Sequence, residues 1–377
     1  MKSGTDTEQF AEASDASQFK LNRRSVLTAS ATLVAAAYAD ARLSPVFAAD
    51  QKREQNSMSN SINTADYIPV SAPSLFMSVS PIVFSVPGRQ TELQIKVSAP
   101  TAGVDLPVIL LSHGHGQSTY LNSLRGYNPI AEFYAAHGFV VIQPTHQDSK
   151  ALNLDPNGPE GPLFWQSRAQ DLQFILDNLA EITAAVPGLA GRIDADRVGA
   201  VGHSMGAHTV AMLAGMRVID PVDGKEWNLT DPRVKASILL APPGNGSDLA
   251  AFASEHYAVL RNTTFGDMGP PALVVAGDLD YTANFSERRD WRADAYTYSP
   301  GPKTLLTMFG AKHALGGVSG YDVAETQDQD SERLGVVQRL TWAYLRSALY
   351  PNDASWSEAS AALASRANPQ GKIDFKS

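Results

Sequence analysis

A chain of 377 residues with 44% hydrophobic and 18% charged residues has an ordinary globular composition, long enough for one large α/β domain or two small ones. Its formal net charge of −9 argues against nucleic acid or an anionic membrane surface as a default partner. The absence of cysteine excludes disulfides, thiolate metal sites and a cysteine nucleophile.

In chain order, Asn22-Arg23-Arg24-Ser25-Val26-Leu27 places two arginines before a weakly apolar run, and a small-residue site follows near Val46-Phe47-Ala48. That order is the one a twin-arginine export signal requires, and residues 1–49 are assigned to it. The run is short and interrupted by Asp40 and Arg42, which argues against a membrane anchor. A periplasmic or secreted protein with no stable membrane insertion after cleavage is expected. Residues 50–66 are polar and read as a flexible leader. The folded domain is expected over 67–350, and a C-terminal tail over 351–377.

"TELQIKVSAP" (91–100) alternates as a half-buried strand does, whereas "LPVILLSHG" (106–114) and "HGFVVIQPTH" (137–146) are continuous apolar runs, the mark of central parallel strands. "DRVGAVGHS", "VKASILLAPP", "PALVVAGDLD" and "KTLLTMFGAKH" repeat that pattern downstream. In "WQSRAQDLQFILDNLAEITAAV", Leu172, Ile175, Leu176, Leu179 and Ile182 share one helical face. "SERLGVVQRLTWAYLRSAL" does the same through Leu334, Val337, Leu340, Tyr344 and Leu345, with Ser331 as a plausible N-cap. Strands alternating with helices predict a mostly parallel central sheet covered on both faces. Residues 217–233 and 244–269 read as loops or a small lid.

The chemistry centres on Gly202-His203-Ser204-Met205-Gly206, a Gly-x-Ser-x-Gly motif between a buried strand and a helix. Such a turn is so tight that the residues two before and two after the serine must lack side chains. Ser204 is therefore the candidate nucleophile. A serine hydroxyl needs a base held by a carboxylate, and in this arrangement the order is Ser, acid, His. His313, at the end of a buried run, is preferred over His256 in the polar stretch "LAAFASEHYAVL". Asp280 in "AGDLD" is favoured over Asp278, which suits a turn. The amide of Met205 supplies one oxyanion donor, and the amide of His115 in "LLSHGHGQSTY" the second.

His113 and His115, with His146 and Asp148, also raise a zinc reading, but the same glycine-bracketed loop is explained by oxyanion stabilisation. No metal or cofactor is assigned. His203 reads as a packing residue and His137 as a helix-end residue before Gly138. Phe164, Trp165 and Trp227 are potential pocket walls, though core is the more ordinary role for such aromatics.

"LLSHGHGQSTYLNSLRGYNPIAEFYAAHGFVVIQPTHQDS", followed by "GHSMGAHT", "DPRVKASILLAPPG" and "GDLD…AKHA", resembles the platelet-activating-factor acetylhydrolase and chlorophyllase group of α/β-hydrolases, close to dienelactone hydrolases and bacterial cutinase-like polyester hydrolases. The similarity covers about residues 75–348 and implies an α/β-hydrolase fold. It implies a serine esterase with Ser204 as nucleophile, Asp280 as acid, His313 as base and the His115 amide as oxyanion donor. His146-Gln147-Asp148 resembles a structural turn of that group. Ala207 stands where many members carry a further glycine, and His115 where the residue is usually apolar. The expected activity is hydrolysis of a carboxylic ester, of small-molecule, lipid or polyester type, through an acyl-enzyme. Amide cleavage by the same groups and a catalytically silent binding protein are the alternatives. Oligomeric state is not legible.

Overall fold

A computed structural model describes residues 65–377; the segment expected to be an export signal (1–49) and residues 50–64 of the expected leader lie outside the described residues. The packed domain includes two residues before the expected Tyr67: Ala65 is buried and Asp66 pairs with Arg339.

The elements run β1 (Phe76–Phe84), β2 (Leu93–Pro100), β3 (Leu106–Ser112), α1 (Asn128–Ala136), β4 (Val140–Pro144), α2 (Trp165–Asp177), α3 (Leu179–Ala184), β5 (Ile193–His203), α4 (Met205–Leu213), β6 (Arg217–Ile219), β7 (Glu226–Trp227) and β8 (Val234–Leu240). They continue with α5 (Ala251–His256), β9 (Thr263–Thr264), β10 (Ala272–Gly277), α6 (Asp294–Tyr298), β11 (Lys303–Met308), α7 (Ser331–Leu349), α8 (Ser355–Ala364) and β12 (Gly371–Lys376).

The main sheet has the order β1-β2-β4-β3-β5-β8-β10-β11-β12. Its six central strands are mutually parallel. β1 and β2 run antiparallel at one edge, and β12 closes the other against β11. One apolar core joins the sheet to α2, α3, α4 and α6; a second joins it to α1, α7 and α8. A parallel sheet buried on both faces needs continuous apolar strands, and β3 and β4 are buried at every residue.

Several expectations are adjusted. β2, expected to be half-buried, is buried almost throughout because it lies between β1 and β4 rather than at an edge. The long helix expected from Trp165 breaks at Asn178, whose side chain donates to the carbonyl of Phe174 at 2.8 Å; the five face residues named above are nonetheless all buried. The last long helix is capped by Asp330, which accepts the N–H of Arg333 at 2.9 Å, so Ser331 is its first helical residue. Residues 351–377, expected as a tail, carry α8 and β12. Residues 217–233 and 244–269 supply a three-stranded sheet, β7-β6-β9, together with α5.

Candidate active site

β5 ends at His203 and α4 begins at Met205, leaving Ser204 on the turn with φ 55° and ψ −118°. A non-glycine residue at positive φ is strained and persists only where its surroundings fix it. Here they do. The Ser204 N–H donates to the Leu240 carbonyl at 2.8 Å. A Cβ on Gly202 would lie 2.1 Å from the Gly206 carbonyl oxygen, and one on Gly206 would lie 2.0 Å from that of Ser112. The spacing of the two glycines is thus a steric requirement of this turn.

β10 ends in the turn holding Asp280, and β11 leads into the loop holding His313. His313 Nδ1 lies 2.8 Å from Asp280 Oδ2. The expected Asp278 alternative is exposed and accepts the N–H of Gly310 at 2.7 Å, a turn role. Burial by itself would raise the pKa of Asp280, but Arg292 and His313 outweigh it and hold the carboxyl well below its ordinary value. Arg292 Nε sits 3.2 Å from Asp280 Oδ2. Its Nη1 donates to the carbonyls of Ala241 and Pro242. His256 is exposed on α5, bonded to the carbonyl of Phe252 four residues before it, and is not part of this group.

His203 proves to be more than packing. Its Nε2–H donates to the main-chain carbonyl of His313 at 2.7 Å, and its Nδ1 accepts from the Tyr127 hydroxyl at 2.9 Å. Tyr127 in turn accepts the Gly114 N–H at 3.0 Å. Burial first, then the neighbouring His313, pull the His203 pKa down to about 3, so the ring is neutral and this one tautomer satisfies every bond. One chain of hydrogen bonds therefore links the Gly114 loop, the serine turn and the histidine loop.

The loop after β3 is fixed from beneath by a buried ion pair. Arg168 on α2 binds the Asp148 carboxylate and the carbonyl of His113, and its Nε donates to Thr209 Oγ1 at 2.9 Å. Asp148 also receives His115 Nδ1 at 2.9 Å. Burial would raise Asp148, but Arg168 and then the His115 hydrogen bond hold it far below its ordinary value. His113 takes the N–H of His146 on Nε2 at 3.0 Å and gives Nδ1–H to the carbonyl of Gly114 at 2.8 Å. His146 Nδ1 binds Asp171 at 2.9 Å, and its Nε2 accepts from Ser112. Both ring nitrogens of His113 and His146, and Nδ1 of His115, are thus engaged in this network. Among the described residues no group of three or more such side chains is placed to hold a metal.

Ser204, Met205, His115, Asp280 and His313 line one cavity of about 650 Å³. Among the described residues, neither the His115 nor the Met205 amide donates a hydrogen bond. Leu163, Tyr257, Leu260 and Phe285 give the cavity apolar walls, so the 244–269 segment does border the site. Phe164 and Trp165 are buried in the core, and Trp227 packs edge-on against Trp165 at 6.2 Å; none of the three lines the cavity.

Arg168, Arg292, Tyr127 and Glu325 escaped the sequence reading. Only Arg168 left a signal, since it shares the apolar face of Leu172, Ile175 and Leu179 and so had to find a buried partner.

Among the described residues, no helix is long and apolar enough to cross a membrane. Residues 108–369 match the family described as "Alpha/beta hydrolase family". The chain is similar to cutinase est1 of Thermobifida alba, 29% identical over 161 residues covering 43% of this chain and 40% of that protein. It is also similar to cutinase est2 of the same organism, 28% identical over 186 residues covering 49% of this chain and 46% of that protein. The chain thus spans under half the length of either relative, and the match does not single out the acetylhydrolase and chlorophyllase group. A matched region of more than half the chain, laid on a parallel sheet with the serine turn at the end of β5, makes the chain a member of the α/β-hydrolase family.

Proposed function

We propose that this protein is a serine hydrolase that cleaves carboxylic esters through an acyl-enzyme. The observation that carries the reading is the sharing of one cavity by Ser204, on its strained turn, and the His313–Asp280 pair.

In this mechanism Ser204 Oγ attacks the ester carbonyl while His313 Nε2 takes its proton. Asp280, held ionised by Arg292, fixes the tautomer with Nδ1–H toward itself and stabilises the imidazolium. The amides of Met205 and His115 hold the oxyanion. His313 then protonates the departing alkoxide, and water activated by the same ring releases the acid and restores Ser204. His203 positions His313 by holding its backbone.

The apolar walls of the cavity suit a hydrophobic acyl portion, and likeness to the two cutinases supports a lipid or polyester substrate. The arginine pair at residues 23–24 supports export by the twin-arginine route to the periplasm or medium.

The test is initial rates on p-nitrophenyl acetate, butyrate and octanoate, with Ser204→Ala and organophosphate treatment alongside, and a matched butyranilide as the amide control. Ester turnover abolished by both treatments, with one phosphoryl adduct on Ser204, is expected. Undiminished turnover in Ser204→Ala would overturn the assignment.

A further inference from the structure

A second, smaller cavity of about 90 Å³ lies beside Ser204. Ser204, His115, His313 and Glu325 border both cavities, so an ester bound at Ser204 has a large compartment and a small one available to it. Leu121, Tyr127, Ala314 and Ser319 are among the other walls of the small one.

Most polar groups in those walls are already committed. Tyr127 and His203 are used in the chain described above, and Ser319 Oγ lies 3.2 Å from Thr326 Oγ1. Glu325 differs. Its Oε1 accepts the N–H groups of Gln117 at 2.8 Å and Ser118 at 2.7 Å, whereas its Oε2 is buried and has no partner among the described residues. Burial would raise its pKa, but hydrogen bonds, led by that of the Ser118 N–H, lower it overall and keep the group ionised. A buried carboxylate oxygen without a donor is costly. An ester arm lacking a donor would leave it so; one bearing a hydroxyl would satisfy it.

We propose that the small cavity is the subsite for the alcohol portion of the substrate, and that it takes an arm of two carbons ending in a hydroxyl that donates to Glu325 Oε2. This rests on the serine esterase reading. The side follows the mechanism: the departing oxygen must take its proton from His313, and Ala314 and Ser319, which line the small cavity and not the large one, follow His313 on the same loop. The size is set by volume, since 90 Å³ matches roughly three non-hydrogen atoms at about 30 Å³ each. A 2-hydroxyethyl arm has that number.

The test compares kcat/KM for 2-hydroxyethyl butyrate and propyl butyrate, which differ only by hydroxyl for methyl. The parent protein is expected to favour the hydroxyethyl ester by about tenfold or more. Glu325→Gln, which can turn an amide N–H₂ donor toward the same space, is expected to bring that ratio to near one. The ratio is the readout, because any loosening of the 116–118 loop slows both esters together.

A second measurement reads the same subsite through the second half-reaction. During p-nitrophenyl butyrate turnover, ethylene glycol and 1-propanol at equal concentration compete with water for the acyl-enzyme. The alcohol oxygen bonds to the acyl carbon, the bond to Ser204 Oγ breaks, and the alcohol's proton passes through His313 to Ser204. Hydroxyethyl butyrate is expected to predominate over propyl butyrate, and to lose that lead in Glu325→Gln. Turnover of the esters with both ratios near one in the parent protein, or ratios unchanged in Glu325→Gln, overturns the subsite alone. Failure to cleave any ester overturns the esterase reading and the subsite with it.

Discussion

His203 Nε2 donates to the main-chain carbonyl of His313 at 2.7 Å, so the residue directly before the serine turn holds the backbone of the candidate base. The other ring nitrogen reaches Tyr127, which holds Gly114. Three loops that come from distant parts of the chain are thereby kept in one register.

His203→Phe removes both bonds while keeping a planar ring of similar width. Ester kcat is expected to fall by roughly tenfold to a hundredfold, as misplacement of about 1 Å does, with KM changed little. A loss confined to KM would show that His203 acts on substrate binding instead.

The two aspartates after β10 have different partners, His313 for Asp280 and the Gly310 N–H for Asp278. Asp280→Asn is expected to lower kcat by on the order of 10³–10⁴, because the wrong tautomer of His313 is then favoured. Asp278→Asn loses one turn hydrogen bond to Gly310 and is expected to stay within about threefold of the parent, its cost being that of an ordinary hydrogen bond. Equal losses in the two variants would remove the assignment of Asp280.

Arg292 lowers the pKa of Asp280 against the pull of burial. In Arg292→Met the carboxyl is protonated at a higher pH, so the variant is expected to lose activity progressively relative to the parent as pH falls from 8 to 5. A parent-to-variant ratio constant over that range would show that Arg292 supports the fold without tuning Asp280.

The buried Arg168–Asp148 pair is expected to cost about 3–5 kcal/mol when Arg168→Met breaks it, since a charge is left uncompensated. Replacing both partners, Arg168→Met with Asp148→Leu, is expected to return most of that stability while leaving His115 without its Nδ1 partner. Urea unfolding monitored by circular dichroism distinguishes the two. A double variant no better than the single would show that the hydrogen bonds to Thr209 and His113, not the charge pair, matter most.

His208 lies fully buried on α4 with neither ring nitrogen hydrogen-bonded among the described residues, and burial, aided by Arg168, takes its pKa down to about 3. A lowered folded pKa means that the unfolded chain binds the proton first. The stabilising contribution is complete above the unfolded value of about 6.5 and is lost as pH falls toward 3, at about 1.4 kcal/mol per pH unit. Burial likewise takes His203 down to about 3 and pulls His113 and His146 well below the ordinary histidine value. Stability is therefore expected to drop steeply between pH 6.5 and 4. His208→Leu is expected to flatten that slope by about one proton and to leave stability at pH 7 equal or higher, which unfolding at pH 7, 6 and 5 would check. An unaltered slope would show that His208 is not among the responsible groups.

How the sequence encodes this site varies with the distance over which each signal acts. Ser204 is legible because its constraint is local: two glycines two residues away, with a strand before and a helix after. His313 and Asp280 are legible because both follow continuous apolar runs, and such runs mark the carboxyl ends of parallel strands. Glu325 is not, since it bonds Gln117 and Ser118 over more than two hundred residues and sits in a loop with no periodicity of its own. Tyr127 reads as an ordinary aromatic until the fold brings His203 to its hydroxyl. The break at Asn178 is hidden because the apolar face continues through it; the competing side-chain bond to Phe174 has no counterpart in the hydrophobic pattern. β12 is hidden for a related reason: "GKIDFK" is a weak strand by composition and is held by pairing with β11.

That pairing bears on how the molecule is made. β11 leads directly to His313, and its outer neighbour comes from residues 371–376, with Lys376 anchored on the carbonyls of Tyr296 and Thr297. A nascent chain that has emerged only as far as α7 therefore carries β11 as a bare edge, open to another copy in the same state. The closing strand covers that edge only once residues 371–376 have emerged, and shortening the chain before residue 371 should convert a sheet that ends in itself into one that recruits its neighbours.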